Sequence, residues 1–273
     1  MSRILATAVC EFRIALRNRW VSIATGMMVL FALVLAAAGS APTGEVGVDR
    51  LSVTVASLTS LAVYLVPLLA LLMSFDAVAG EVERGTLPLL LTYPVSRLQI
   101  LLGKLLAHLA ILGLAATLGY GAAALVAVWT DPAAVEGLGA LWRLIWSSVV
   151  LGATFLGAGY ALSALARRPS SAAGLAIALW LAAVVLYDLA LLALIVTDGG
   201  GAFTTQALPV ALLANPADAF RVFNLSAAQA VAAAGGIGGA AEAIPLWQSA
   251  ASLLVWPLAA VALAVAAFRR VTP

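Results

Sequence analysis

Six stretches of this chain run almost free of charge for about 20–30 residues, the length an α-helix needs to cross a hydrocarbon core ~30 Å thick. They cover residues 21–39, 51–75, 100–129, 141–166, 172–196 and 246–268; the first, second and sixth hold no Asp, Glu, Lys, Arg or His. Strict alternation of apolar and polar residues is absent, which excludes a transmembrane barrel. Helices satisfy their own backbone in lipid, so the expected fold is an all-α membrane protein with six transmembrane helices. Composition agrees: 64% of the residues are hydrophobic and 10% charged, with a mean hydropathy of +1.12. Those values exclude a disordered chain and a nucleic-acid binder with a basic face. The single cysteine, Cys10, allows neither an intrachain disulfide nor a cysteine-based metal cluster.

The few charges decide the orientation, because Lys and Arg are retained on the cytoplasmic side. With the N-terminus inside, the inner segments hold Arg3, Arg13, Arg17, Arg19, Arg84, Arg97, Lys104, Arg167, Arg168, Arg269 and Arg270. The outer ones hold only Arg50, Arg143 and Arg221. Both termini are therefore expected to be cytoplasmic. Within residues 1–20, Leu5, Val9, Phe12 and Leu16 recur at helical spacing while Arg13 and Arg17 lie on another face, the pattern of an amphipathic interfacial helix.

Residues 1–273 read as a single membrane domain with two enlarged connections, 76–99 inside and 197–245 outside. The inner one parses locally. The second helix continues through Glu81, Glu83 and Arg84 and stops at Gly85, a good C-cap residue. Thr86 then N-caps a short helix over 87–91, which must end before Tyr93-Pro94 because the residue preceding proline avoids the α region. Ser96 with Gln99 forms a capping box that opens the third span. In the outer connection, residues 208–216 are apolar but too short to span, which predicts a re-entrant or interfacial helix ended at Asn215-Pro216. Phe220, Phe223 and Asn224 predict a second interfacial piece, and Gly235–Gly239 reads as flexible loop.

An ionisable residue within the bilayer is costly and marks a site worth explaining. His108 and Asp188 qualify, at depths of roughly 12 Å and 24 Å from the inner surface at 1.5 Å per residue, so they need separate partners. His108 is expected as a neutral imidazole bonded to a backbone carbonyl. Without a partner, Asp188 would be protonated or face a polar dimer seam. Met27, Met28 and Met73 read as packing rather than soft metal ligands, so no metal site is expected. Gly113, Thr117 and Gly121 on the third span, and Ala153, Gly157 and Ala161 on the fourth, predict close helix approach. Gly103-Lys104 lacks the first glycine and the hydroxyl of a phosphate loop, so no ATP site or other cofactor site is expected in this chain.

Glu81-Val82-Glu83-Arg84-Gly85-Thr86-Leu87, Tyr93-Pro94-Val95-Ser96-Arg97 and Leu101-Leu102-Gly103-Lys104 resemble the second-to-third helix region of ABC-2-type transporter permeases. A narrower likeness, over Leu16–Trp20, Ser74–Glu81, Leu90–Pro94, Ser170–Leu175 and Leu213–Pro216, is to the permeases that serve nitrous-oxide-reductase maturation. This resemblance implies a multi-pass protein of the bacterial inner membrane, a homodimer with two cytoplasmic ABC ATPase subunits that bind the ATP and Mg, and a periplasmic β-helical partner. It implies ATPase coupling through Glu81, Glu83, Arg84, Gly85, Thr86, Leu87, Tyr93, Pro94 and Arg97, with no catalytic residue in the chain. It further implies contact with the periplasmic partner through Asn215, Pro216, Asp218, Phe220 and Arg221, and a role in copper-site assembly. The alternative within the same fold is an ABC-2 exporter of a lipid or hydrophobic compound.

Overall fold

The computed structural model describes residues 3–17, 19–38, 50–166, 168–225 and 244–271. Its elements are α1 (Arg3–Leu16), α2 (Arg19–Ala38), α3 (Arg50–Ser74), α4 (Ala79–Glu83), α5 (Thr86–Thr92), α6 (Arg97–Thr130) and, after a 3-10 turn, α7 (Leu138–Leu165). They continue with α8 (Pro169–Trp180), α9 (Tyr187–Asp198), α10 (Leu208–Ala214), α11 (Pro216–Leu225) and α12 (Leu246–Arg269). No strand occurs among the described residues. The outer part of the 197–245 region beyond Leu225, including Gly235–Gly239, lies outside the described residues.

Five helical stretches are each long and apolar enough to cross a membrane: 53–83, 97–130, 132–165, 169–198 and 246–269. The count reaches six when α1 and α2, bent by 74° from each other, are taken together as one crossing. The fifth crossing comprises α8, a wider helical turn over Leu181–Leu186, and α9.

The bundle closes around α6 and α7. Helix α7 packs chiefly on α12 and α3, while α1 and α2 lie along α6. Leu58, Leu71, Leu112, Leu144, Leu151, Tyr120 and Tyr160 are among the fully buried side chains at these seams. At Gly157, a Cβ would come within 2.9 Å of backbone atoms of Ala260 and Val261, so α7 and α12 touch main chain to main chain. This is the approach expected from the fourth-span stripe. The third-span stripe behaves differently: Thr117 is exposed, Gly121 has nothing within 4 Å, and Gly113 makes ordinary contact with Val149. Helix α6 meets its neighbours instead at Gly103, against Thr7, and at Gly119, against Met28. Since α6 is apolar all round, spacing alone did not reveal which face turns inward.

Candidate functional site: the polar base and the re-entrant hairpin

At one end of the bundle, the second crossing is not the continuous helix expected from sequence. The regular turns of α3 stop at Ser74 and resume at Ala79. Ser163 of α7 accepts hydrogen bonds from the backbone N–H groups of Val78 and Ala79, both at 3.0 Å, and so caps the restart from a distant helix. Gly80 lets the Asp76 carboxylate lie against the helix, since a Cβ would fall 2.0 Å from it and displace it. Gly85 then takes a left-handed φ of +66°, which glycine adopts at little cost, and turns the chain into α5. Thr86 is the first residue of that helix rather than its cap; its hydroxyl donates to the Glu81 carbonyl. The Ser96–Gln99 capping box opening α6 is present as expected.

The residues expected to face an ATPase subunit divide into two groups. Glu83, Arg84, Gly85, Thr86, Tyr93 and Pro94 are exposed, as is Leu89, and together they form a projecting edge. Arg84 pairs on this surface with Asp76 at 3.1 Å. Glu81, Leu87 and Arg97 are instead tied into the bundle. Leu87 is fully buried. The Arg97 guanidinium donates to the carbonyls of Phe268 at 2.7 Å and Val271 at 2.6 Å, and lies 5.6 Å from the Phe268 ring centroid. It thereby adds a side-chain donor to carbonyls at the end of α12, one of which, Phe268 O, also accepts from Val271 N.

Glu81 belongs to a buried triad that spacing did not reveal. Lys104 Nζ lies 2.6 Å from Glu81 Oε1 and 2.7 Å from Glu11 Oε1, with the lysine side chain only 5% exposed. One cation thus joins α1, α4 and α6. One turn further along α6, His108 Nδ1 lies 2.6 Å from the Tyr160 hydroxyl, which takes the place of the expected backbone carbonyl. The N-terminal helix, the 76–99 segment and the end of the last helix consequently meet at the same end of the bundle.

Toward the other end, the re-entrant expectation corresponds to α10 and α11. Asn215 sits at their elbow, where its Oδ1 accepts from Ala217 N at 2.8 Å and caps α11. Its Nδ2 donates at 2.6 Å to Ala183 O, within the wide turn of the fifth crossing. The elbow therefore reaches fifteen residues below Asp198, roughly 22 Å along that helix. Tyr187 follows one turn nearer the outside, donating to Ala211 O at 2.8 Å.

Asp188 finds its partner on the same hairpin. Its Oδ2 and Oδ1 lie 2.7 Å and 3.0 Å from Arg221 Nη2 and Nη1, a two-pronged pair, and Asp218 Oδ1 lies 3.0 Å from the same guanidinium. Asp218 Oδ2 is buried without a hydrogen-bond partner among the described residues.

The residues expected to meet a periplasmic partner are mostly turned inward. Asn215, Asp218 and Phe220 are buried, and Pro216 and Arg221 are half-buried. Asn224, expected at an interface, is buried as well and bonds Ser147 of α7 at 3.0 Å. An apolar hairpin that enters the bundle must satisfy its polar groups there, and these side chains do so. Among the described residues, no group of three or more His, Cys, Asp or Glu side chains is gathered as metal ligands would be.

A polytopic helical bundle with a projecting edge at one end and a re-entrant hairpin at the other has the form of a transporter's membrane subunit. The family model described as ABC-2 family transporter protein matches residues 5–272, and the chain belongs to that family. It is 47% identical over 264 residues to a Pseudomonas aeruginosa protein named "Probable ABC transporter permease protein NosY", covering 95% of each chain. It is 42% identical over 281 residues to the Stutzerimonas stutzeri protein of the same name, covering 99% of each. The chain is thus an ABC transporter permease subunit and a multi-pass protein of the inner membrane.

Proposed function

We propose that this chain is the permease of a dimeric ABC transporter that couples ATP hydrolysis by two cytoplasmic ATPase subunits to a periplasmic β-helical partner, in service of copper-site maturation of nitrous oxide reductase. The NosY name of its relatives supports the assignment to that system. The observation that carries the coupling role is the contrast within residues 76–99. An exposed edge from Glu83 to Thr86, with Leu89 and Tyr93 beside it, is backed by Glu81, Leu87 and Arg97 fixed in the bundle. A surface so mounted transmits a push instead of absorbing it. Movement of Glu81 acts on α6 and α1 through Lys104, and movement of Arg97 acts on α12 through its terminal carbonyls.

The test is to reverse both exposed charges, as Glu83→Lys with Arg84→Glu, and to copurify the variant with its ATPase subunits. Association should fall at least tenfold and coupled ATP turnover with it. Undiminished association and coupling would remove the docking role from this edge.

A further inference from the structure

Helix α1 has two unlike sides. Its inward side is engaged with α6: Ala8 and Ala15 are buried, Thr7 packs on Gly103, and Glu11 reaches Lys104. Ala6, Val9, Cys10, Arg13, Ile14 and Arg17, spaced alternately three residues and one apart, line a shallow hollow along its outward side. Arg13 and Arg17 are exposed there one turn apart, and neither side chain has an ion-pair or hydrogen-bond partner among the described residues. Arg84, Arg97, Lys104 and Arg221, by contrast, each hold a carboxylate or a carbonyl. The acid of α1, Glu11, is drawn to the opposite side, so two like charges four residues apart repel without compensation.

The level of this stripe in the membrane follows from α6. That helix has 34 residues, ~51 Å, against ~30 Å for the hydrocarbon core. Trp129, 91% exposed and next to the last residue of α6, is of the type that anchors among headgroups. The surplus of about 20 Å then falls at the Arg97 end. Gly103 and Lys104, against which α1 packs, accordingly stand just outside the hydrocarbon, at headgroup level. Leu5 and Leu16, both exposed on α1, offer apolar surface on the flank of the basic stripe.

We propose that Arg13 and Arg17 bind the phosphate of an anionic phospholipid, in the leaflet on the side of the projecting edge. Two guanidiniums one turn apart bracket a single phosphate, and each can offer it a two-pronged bond. The lipid's acyl chains run past Leu16 into the hydrocarbon. A zwitterionic headgroup carries its own cation, which competes for the phosphate, so net negative charge decides which lipid stays. An acidic protein segment would match the charge but leave the apolar flank of the stripe unused. Lipid and buried triad thus hold α1 from opposite sides. The site is independent of what the transporter moves and of how its ATPase subunits dock.

Cys10 is the single cysteine of the chain and lies in the hollow, so one small fluorophore attached to it reports this site alone. The test places the labelled full-length permease in phosphatidylcholine nanodiscs. A fixed fraction of lipid is then replaced by phosphatidylglycerol or phosphatidylcholine carrying a nitroxide quencher near the headgroup end of one acyl chain. Quenching should show at least a tenfold preference for phosphatidylglycerol. Arg13→Gln and Arg17→Gln should each lower it about fivefold, the equivalent of ~1 kcal/mol per arginine, and the double variant should bring it close to one. Arg269→Gln with Arg270→Gln, exposed cations of the last helix, should leave it unchanged. Phosphatidylglycerol should also raise the unfolding midpoint of the unmodified chain but not of the double variant, whose midpoint in phosphatidylcholine alone should match. Equal quenching by the two lipids, or a preference that survives the double substitution, would overturn the site. Displacement of phosphatidylglycerol by millimolar inorganic phosphate would overturn its assignment to a lipid.

Discussion

Replacing Lys104 by Met tests the load borne by the polar base. The ammonium is 5% exposed and contacts two carboxylates, Glu11 at 18% and Glu81 at 11% exposure. Removing one partner of a buried ion pair strands the other, at a cost of ~3–5 kcal/mol. Here two carboxylates are stranded, and Glu81 Oε2 already lacks a hydrogen-bond partner among the described residues. At ~2–4 °C per kcal/mol for a chain of this order, the expected fall in unfolding midpoint is about 6–20 °C. The assay is thermal unfolding of the purified permease in detergent, followed by tryptophan fluorescence. The decisive control is the triple variant Lys104→Met, Glu11→Met, Glu81→Met. Swapping a buried ion cluster for apolar groups of similar volume is near neutral, so most of the lost stability should return. A fall of less than about 2 °C in the single variant, or no recovery in the triple, would refute the claim that this cation holds α1, α4 and α6 together.

Two further outcomes concern the hairpin. Arg221→Met removes the cation shared by Asp188 and Asp218 and should cost ~3–5 kcal/mol in chemical denaturation; a loss below ~1 kcal/mol would refute the pairing. Asn215→Ala removes the α11 cap and the side-chain bond to the Ala183 carbonyl, a combined loss of ~1–3 kcal/mol in unfolding experiments. Asn215→Asp keeps the cap acceptor and should recover about half of it.

How much of this was legible in the sequence depended on range. The six crossings follow from hydrophobic length alone. The Ser96–Gln99 box and the stop at Asn215-Pro216 follow from bonds spanning three residues or fewer. What failed to show was contact across the bundle. Lys104 read as a boundary cation because its carboxylates stand 93 and 23 residues away. Arg221 was assigned to the outer loops by charge counting, which assumes that a residue between two crossings stays outside. The hairpin carries it inward, where it answers the question of Asp188. Arg97 looked like part of a docking surface because its local sequence cannot display the end of α12, 171 residues later.

The contact between Arg97 and the end of α12 also sets an order of events in biogenesis. The guanidinium is made 171 residues before the Phe268 carbonyl that receives it. At ~5–20 residues per second, about 10–30 s of synthesis separate the two. During that interval the third crossing is in the membrane with its basal arginine unmatched, and the last helix is the piece that completes the base. A nascent chain that stalls after the fifth crossing would thus present an unfinished foot, distinguishable by quality control from the complete protein even though most of the membrane-embedded helices are already in place.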